Sequence, residues 1–155
     1  MFLRFAFLIV MLAVAGCSGN QKRPPVMQDS DREIIQSSSV IGPYSPAVRA
    51  GPFLFVSGQI GLEKETGELR DGGIEMETRQ ALDNLMMILK SAGYDSSDVV
   101  STTVYLRSMN DYQRMNLIYG GYFPDSGFPA RSTVAVSDLP RQANIEIAAT
   151  AYRAR

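Results

Sequence analysis

Alternation and helical spacing divide the second half of the chain into readable elements. Glu75 to Ala92 predicts the clearest helix: Leu82, Leu85, Met86, Leu89 and Ala92 recur at three- and four-residue spacing on one face, and Gly93 supplies the stop. Met86 and Met87 read as helix packing. Val99 to Leu106 alternates as a strand, with Val100, Thr102, Val104 and Leu106 on one side and Ser101, Thr103 and Tyr105 on the other. A second helix is expected from Asp111 to Tyr122, with Asn110 as its cap and Gln113 in the capping-box position. Phe53 to Ile60 is β-prone and passes through Ser57-Gly58, where a glycine marks a bulge or a close backbone approach.

Residues 33–41 read as the start of the sheet, and Gly42-Pro43-Tyr44-Ser45-Pro46 breaks it. Two further strands fall between Phe128 and Thr150, with Leu139-Pro140 and Arg141 in the turn between them. The order strand, strand, helix, strand, helix, strand, strand suits an α+β domain with two helices on one face of a sheet. In the last strand Ile145, Ile147, Ala149 and Ala151 share one side, beneath the helices. Asn144, Glu146, Ala148 and Thr150 lie on the other, a face too small and mixed for a fully solvated surface. Burial against other subunits is the expected answer.

The first residues are patterned differently. One charge, Arg4, precedes an unbroken apolar run from Phe5 to Ala15, too short to span about 30 Å of hydrocarbon as a helix. It has the length of a signal-peptide core. Val14-Ala15-Gly16-Cys17 resembles a bacterial lipobox, in which cleavage leaves a lipid-modified N-terminal cysteine. Residues 17–32 are polar, carry Pro24-Pro25 and lack periodicity, as a tether would. The expected organisation is a lipoprotein signal peptide over residues 1–16, a tether over 17–32 and one domain over 33–155. Ser18, in place of aspartate, matches the sorting pattern that favours the outer membrane, facing the periplasm.

Composition narrows the chemistry. The chain has 155 residues, room for one core, and its net charge of −1 gives no reason to expect nucleic acid. There is no histidine, which excludes histidine triads and the commonest zinc sites, and one cysteine cannot form an internal disulfide. No Asp/Glu cluster has ligand-like spacing, so no metal is expected. Against that background Arg131 and Glu146 stand out, each a lone charge in an apolar or small-residue run. On adjacent strands they would form a site.

Six segments occur in register with one known family. They are Gly42-Pro43-Tyr44-Ser45-Pro46-Ala47, Ser57-Gly58-Gln59-Ile60, Ala81-Leu82-Asp83-Asn84-Leu85, Thr102-Thr103-Val104-Tyr105-Leu106, Pro129-Ala130-Arg131-Ser132 and Ile145-Glu146-Ile147. Together they resemble the Rid, or YjgF-type, reactive intermediate deaminases from about Ile34 to Tyr152. The resemblance implies a chorismate-mutase-like fold, a homotrimer with ligand sites between subunits, and no cofactor or metal. It implies hydrolysis of 2-enamino and 2-imino acids to 2-keto acids and ammonia. Arg131 then grips the substrate carboxylate, Glu146 orients water, and Thr133, where many relatives have cysteine, holds the same water. Tyr44, Ser57, Gly58 and Asn116 match positions lining the cleft, some from the neighbouring subunit. A trimeric binding module for small carboxylates, or hydrolysis of another small carbonyl or imine-like compound, is also compatible with these residues.

Overall fold

The computed structural model describes residues 32–36, 42–124 and 127–154. Six strands form one mixed sheet: β1 Arg32–Ile35, β2 Ala47–Ala50, β3 Phe53–Ile60, β4 Val99–Leu106, β5 Ala130–Ala135 and β6 Ile145–Tyr152. Their spatial order is β1-β2-β3-β6-β4-β5. Two helices, α1 Gly73–Ser91 and α2 Tyr112–Tyr119, cross over between β3 and β4 and between β4 and β5. All neighbouring pairs are antiparallel except β4 and β5, which run parallel, as a helical crossover requires. The α+β architecture with two helices stands as expected.

The core lies between helices and sheet. Leu82, Leu85 and Leu89 of α1 are fully buried against Leu54, Val104, Ile145 and Ile147 of the sheet. Each such side chain contributes about 1.5–3 kcal/mol of burial free energy. Met86 is partly buried against this core, but Met87 is exposed and is not core packing. Gly93 takes a left-handed φ of 80° and ends α1, where the Tyr94 N–H donates to the Leu89 carbonyl at 2.9 Å.

Several local expectations are corrected. An additional strand, β2, occupies only four residues between Pro46 and Gly51-Pro52, so its pattern is too short to read. In β4 the register against β6 shifts between Val99 and Ser101. That irregularity turns Val99 inward and leaves Val100 44% exposed, the reverse of strict alternation. The second helix is shorter than residues 111–122, because 3₁₀ turns flank it at Met109–Asp111 and Gly120–Tyr122. Ser108 caps the 3₁₀ turn that leads into it, its hydroxyl accepting from the Asn110 N–H at 3.2 Å, whereas Asp111 at the start of α2 makes no capping hydrogen bond. Asn110 is not the cap, and Gln113 closes no capping box.

The sheet face away from the helices carries Glu146, Ala148 and Thr150, all half-buried. Asn144 is not among them, since it precedes β6 and its backbone and side-chain N–H groups donate to Glu77 of α1. At one end Phe53, Phe55 and Tyr152 stack with centroids 6.2 and 5.1 Å apart and remain 40%, 50% and 42% exposed. Near the other end Ile60, Leu139 and Ala143 form a small second cluster with Tyr105 and Val136. The signal-peptide, tether and Cys17 expectations lie outside the described residues. Among those described, no helix is long and apolar enough to cross a membrane.

Candidate functional site

Glu146 owes its surroundings to an irregularity in β3. That strand outruns β2, which pairs only as far as Val56, and its register against β6 shifts between Val56 and Gln59. Ser57 and Gly58 sit in this irregular stretch. The Ser57 N–H donates to the Pro46 carbonyl at 2.9 Å, and its hydroxyl donates to the Ser45 carbonyl at 2.7 Å. These bonds pin the Gly42–Pro46 turn beside the strand and so place Tyr44. Gly58 leaves room for the carboxylate: a Cβ there would come within 1.8 Å of Glu146 Oε1. Only glycine permits that approach.

The result is a cavity of about 350 Å³ lined by Tyr44, Ser57, Gly58, Asn84, Arg141 and Glu146, among others. Asn84 reaches it from α1, donating to the Ile60 and Leu62 carbonyls at 3.1 and 2.9 Å. Burial pushes the Glu146 carboxyl above its ordinary range, because desolvation disfavours the charged form. Glu146 has no hydrogen-bond or ion-pair partner among the described residues. A carboxylate in this state is a better proton acceptor than one in water.

Arg131 lies elsewhere. On edge strand β5, Arg131 and Thr133 register with Thr102 and Val104 of β4, both buried toward the helices. The Arg131 guanidinium stands 4.5 Å from the ring centre of Tyr119 and 5.8 Å from that of Tyr112. One nitrogen, Nη2, is 3.4 Å from the Tyr112 hydroxyl, and Nη1 is 4.0 Å from Met115 Sδ. No carboxylate is within ion-pair reach among the described residues. Asn116, Tyr119, Gly120 and Phe128 line the same recess. The Thr133 hydroxyl is enclosed and has no partner, so its hydrogen-bonding capacity is unspent.

The predicted site residues therefore fall into two groups. Tyr44, Ser57, Gly58 and Glu146 share one cavity; Arg131 and Asn116 share another recess, with Thr133 two residues along the same face. The expectation that Arg131 and Glu146 occupy adjacent strands is overturned, since β4 lies between β5 and β6. Arg131 aligns with Thr102 and Glu146 with Tyr105, so they are offset by three residues along β4 and lie on opposite faces. Their backbones are about 14 Å apart at standard strand spacings. One chain does not bring Glu146 and Thr133 to a common water. Sequence reasoning missed Tyr119, whose signal was present: an aromatic three residues beyond Asn116 on the same helix face. Among the described residues no cluster of acidic or sulfur side chains is suited to a metal ion.

The fold and this divided site define a small α+β domain in which, among the described residues, an arginine with no carboxylate partner and a desolvated glutamate stand on opposite sheet faces. The sequence profile of the family described as endoribonuclease L-PSP matches residues 34–153, and the chain belongs to this family, that of the YjgF and Rid proteins. It is 51% identical over 113 residues to a RutC family protein of Pyrococcus horikoshii, covering 73% of this chain and 89% of that protein. Identity to the human 2-iminobutanoate/2-iminopropanoate deaminase is 46% over 125 residues, covering 79% and 90%. The crystal structure of the Escherichia coli YjgF gene product superposes with a TM-score of 0.74 at 37% identity, covering 79% of this chain and 99% of that one. RidA from Psychrobacter superposes with a TM-score of 0.75 at 32% identity, covering 78% and 99%.

Proposed function

We propose that this protein hydrolyses 2-enamino and 2-imino acids to 2-keto acids and ammonia, in sites completed between subunits of a homotrimer. The observation that carries this reading is the division of the site: a cationic recess and a carboxylate cavity on opposite faces, neither sufficient alone. Juxtaposing the Arg131 recess of one subunit with the Glu146 cavity of a neighbour supplies both halves. Relatives named as 2-iminobutanoate/2-iminopropanoate deaminases support the chemistry.

The steps follow from the side chains. Arg131, permanently charged and planar, takes the substrate carboxylate through two parallel N–H donors. The enamine tautomerises to the imine, placing an electrophilic carbon beside that anchor. Glu146 accepts a proton from water as the oxygen adds to the carbon and returns it to the nitrogen, giving a carbinolamine. It then takes the hydroxyl proton as the C=O bond forms and the C–N bond breaks, and passes it to the nitrogen, which leaves as ammonia. The free Thr133 hydroxyl holds the attacking water. No step calls on a cofactor or metal.

The family description names a ribonuclease, but the lack of histidine and the net charge of −1 favour a small-molecule substrate over RNA. Cys17 and the apolar run before it support lipid anchoring in the cell envelope, probed by the membrane test below. The activity is tested by generating 2-iminobutanoate in the assay and following its loss. Hydrolysis should accelerate with wild type and return to the uncatalysed rate with Arg131→Ala. A wild type equal to the no-enzyme control on several imino acids would leave a carboxylate-binding module instead.

A further inference from the structure

A carboxylate-binding arginine faces conflicting requirements. It must be held in one orientation, or each binding event loses the rotamer freedom of a long side chain. An acidic neighbour would hold it, but that neighbour would occupy the same N–H donors and compete with the substrate. Arg131 avoids the conflict: no carboxylate reaches it among the described residues, and its guanidinium lies over an aromatic face.

That face is itself fixed. Tyr119 is 3% exposed, and its hydroxyl is 2.7 Å from Oγ1 of Thr102, a buried residue of β4. Its ring packs against Phe123 with centroids 4.7 Å apart. Thr102 is also the register partner of Arg131 across β4 and β5. The backbone that carries the arginine and the ring that supports its guanidinium are thus tied to the same strand residue. A cation stacked on a ring uses no N–H donor; beyond the long, weak contacts to the Tyr112 hydroxyl and Met115 Sδ, the guanidinium donors remain available to a ligand.

We infer that Tyr119 is a positioning residue for carboxylate recognition, holding the Arg131 guanidinium in its binding orientation through the ring face that Thr102 locks in place. The inference rests on the reading of Arg131 as the substrate clamp, and it predicts that Tyr119 acts on the charged end of the ligand alone. Tyr112, farther away and more exposed, is a secondary support.

The test is binding, not turnover, with 2-oxobutanoate and its uncharged amide as probes. Tyr119→Leu should weaken 2-oxobutanoate about tenfold, the effect of losing a partly desolvated cation–aromatic contact, and leave the amide unchanged. In an Arg131→Ala background the same substitution should cost nothing further, because the two residues act as one unit. Tyr119→Phe keeps the face and should bind within about threefold of wild type while losing thermal stability. A folded Tyr119→Leu protein that binds 2-oxobutanoate like wild type overturns the inference, as does an equal loss in the Arg131→Ala background. If Tyr119→Leu does not fold, the wild-type Arg131 Nε–H resonance, assigned by its loss in Arg131→Lys, decides: ring-current displacement is expected, and a random-coil shift refutes the contact. A wild type that binds no 2-oxobutanoate removes the clamp and the inference with it. One that binds it but hydrolyses no imine removes only the deaminase reading.

Discussion

Arg131 and Glu146 stand on opposite faces of one sheet, two strands apart and three residues out of line, with β4 between them. Their separation is the strongest constraint on how the protein works. If both serve one reaction, they come from different chains.

Subunit complementation follows directly. Arg131→Ala and Glu146→Gln should each be inactive alone. Unfolding them together and refolding the 1:1 mixture should restore about one quarter of the wild-type activity, since a quarter of randomly formed interfaces pair two intact halves. A mixture as inactive as its parents would place the residues in separate roles.

Gly58→Ala tests how the carboxylate is housed. Its Cβ would displace the Glu146 side chain while leaving strand backbone and core in place. Turnover is expected to fall by about 10² to 10⁴, the usual worth of a positioned acid–base group. Circular dichroism should stay unchanged and stability should drop by about 1 kcal/mol. Activity near wild type would show that Glu146 need not occupy this position.

Glu146 also links activity to pH. Burial raises its folded-state pKa above the unfolded value, so the folded protein binds the proton more tightly. Its contribution to stability is therefore fully present below the unfolded pKa and is lost as pH rises through the folded one. Glu146→Gln should raise the melting temperature at neutral pH, and the gain should vanish in acid. The wild-type kcat/KM should fall on the acid side at a pH above that of an ordinary glutamate. A melting temperature equally raised at pH 4 would contradict the desolvation argument.

Cell fractionation checks the anchor. Cys17→Ala should move the protein from the membrane fraction to the soluble one, because no other acylation site resembles a lipobox. Retention in the membrane would argue for another mode of attachment.

How much of this was legible depended on the range of the signal. Leu82, Leu85 and Leu89 announce α1 because helix spacing is local, and Ile145, Ile147 and Ala149 announce β6 for the same reason. Strand order is set by pairing between distant segments, so nothing near Arg131 reveals that β4 separates it from Glu146. Val100 faces outward against the alternation because an irregular register reverses it without leaving a mark in VVSTTVYL. The site residues themselves were readable as motifs. Their distribution over two faces was not, because that depends on register.

The Phe53–Phe55–Tyr152 strip bears on how the protein must be handled. Three half-wet rings are a poor end state for one chain, and covering them with other copies would merge folding and association into one equilibrium. The thermal midpoint should then climb with protein concentration. On the proposed intersubunit reading, dilution would then take the clefts apart together with the fold, and specific activity measured at nanomolar protein would fall.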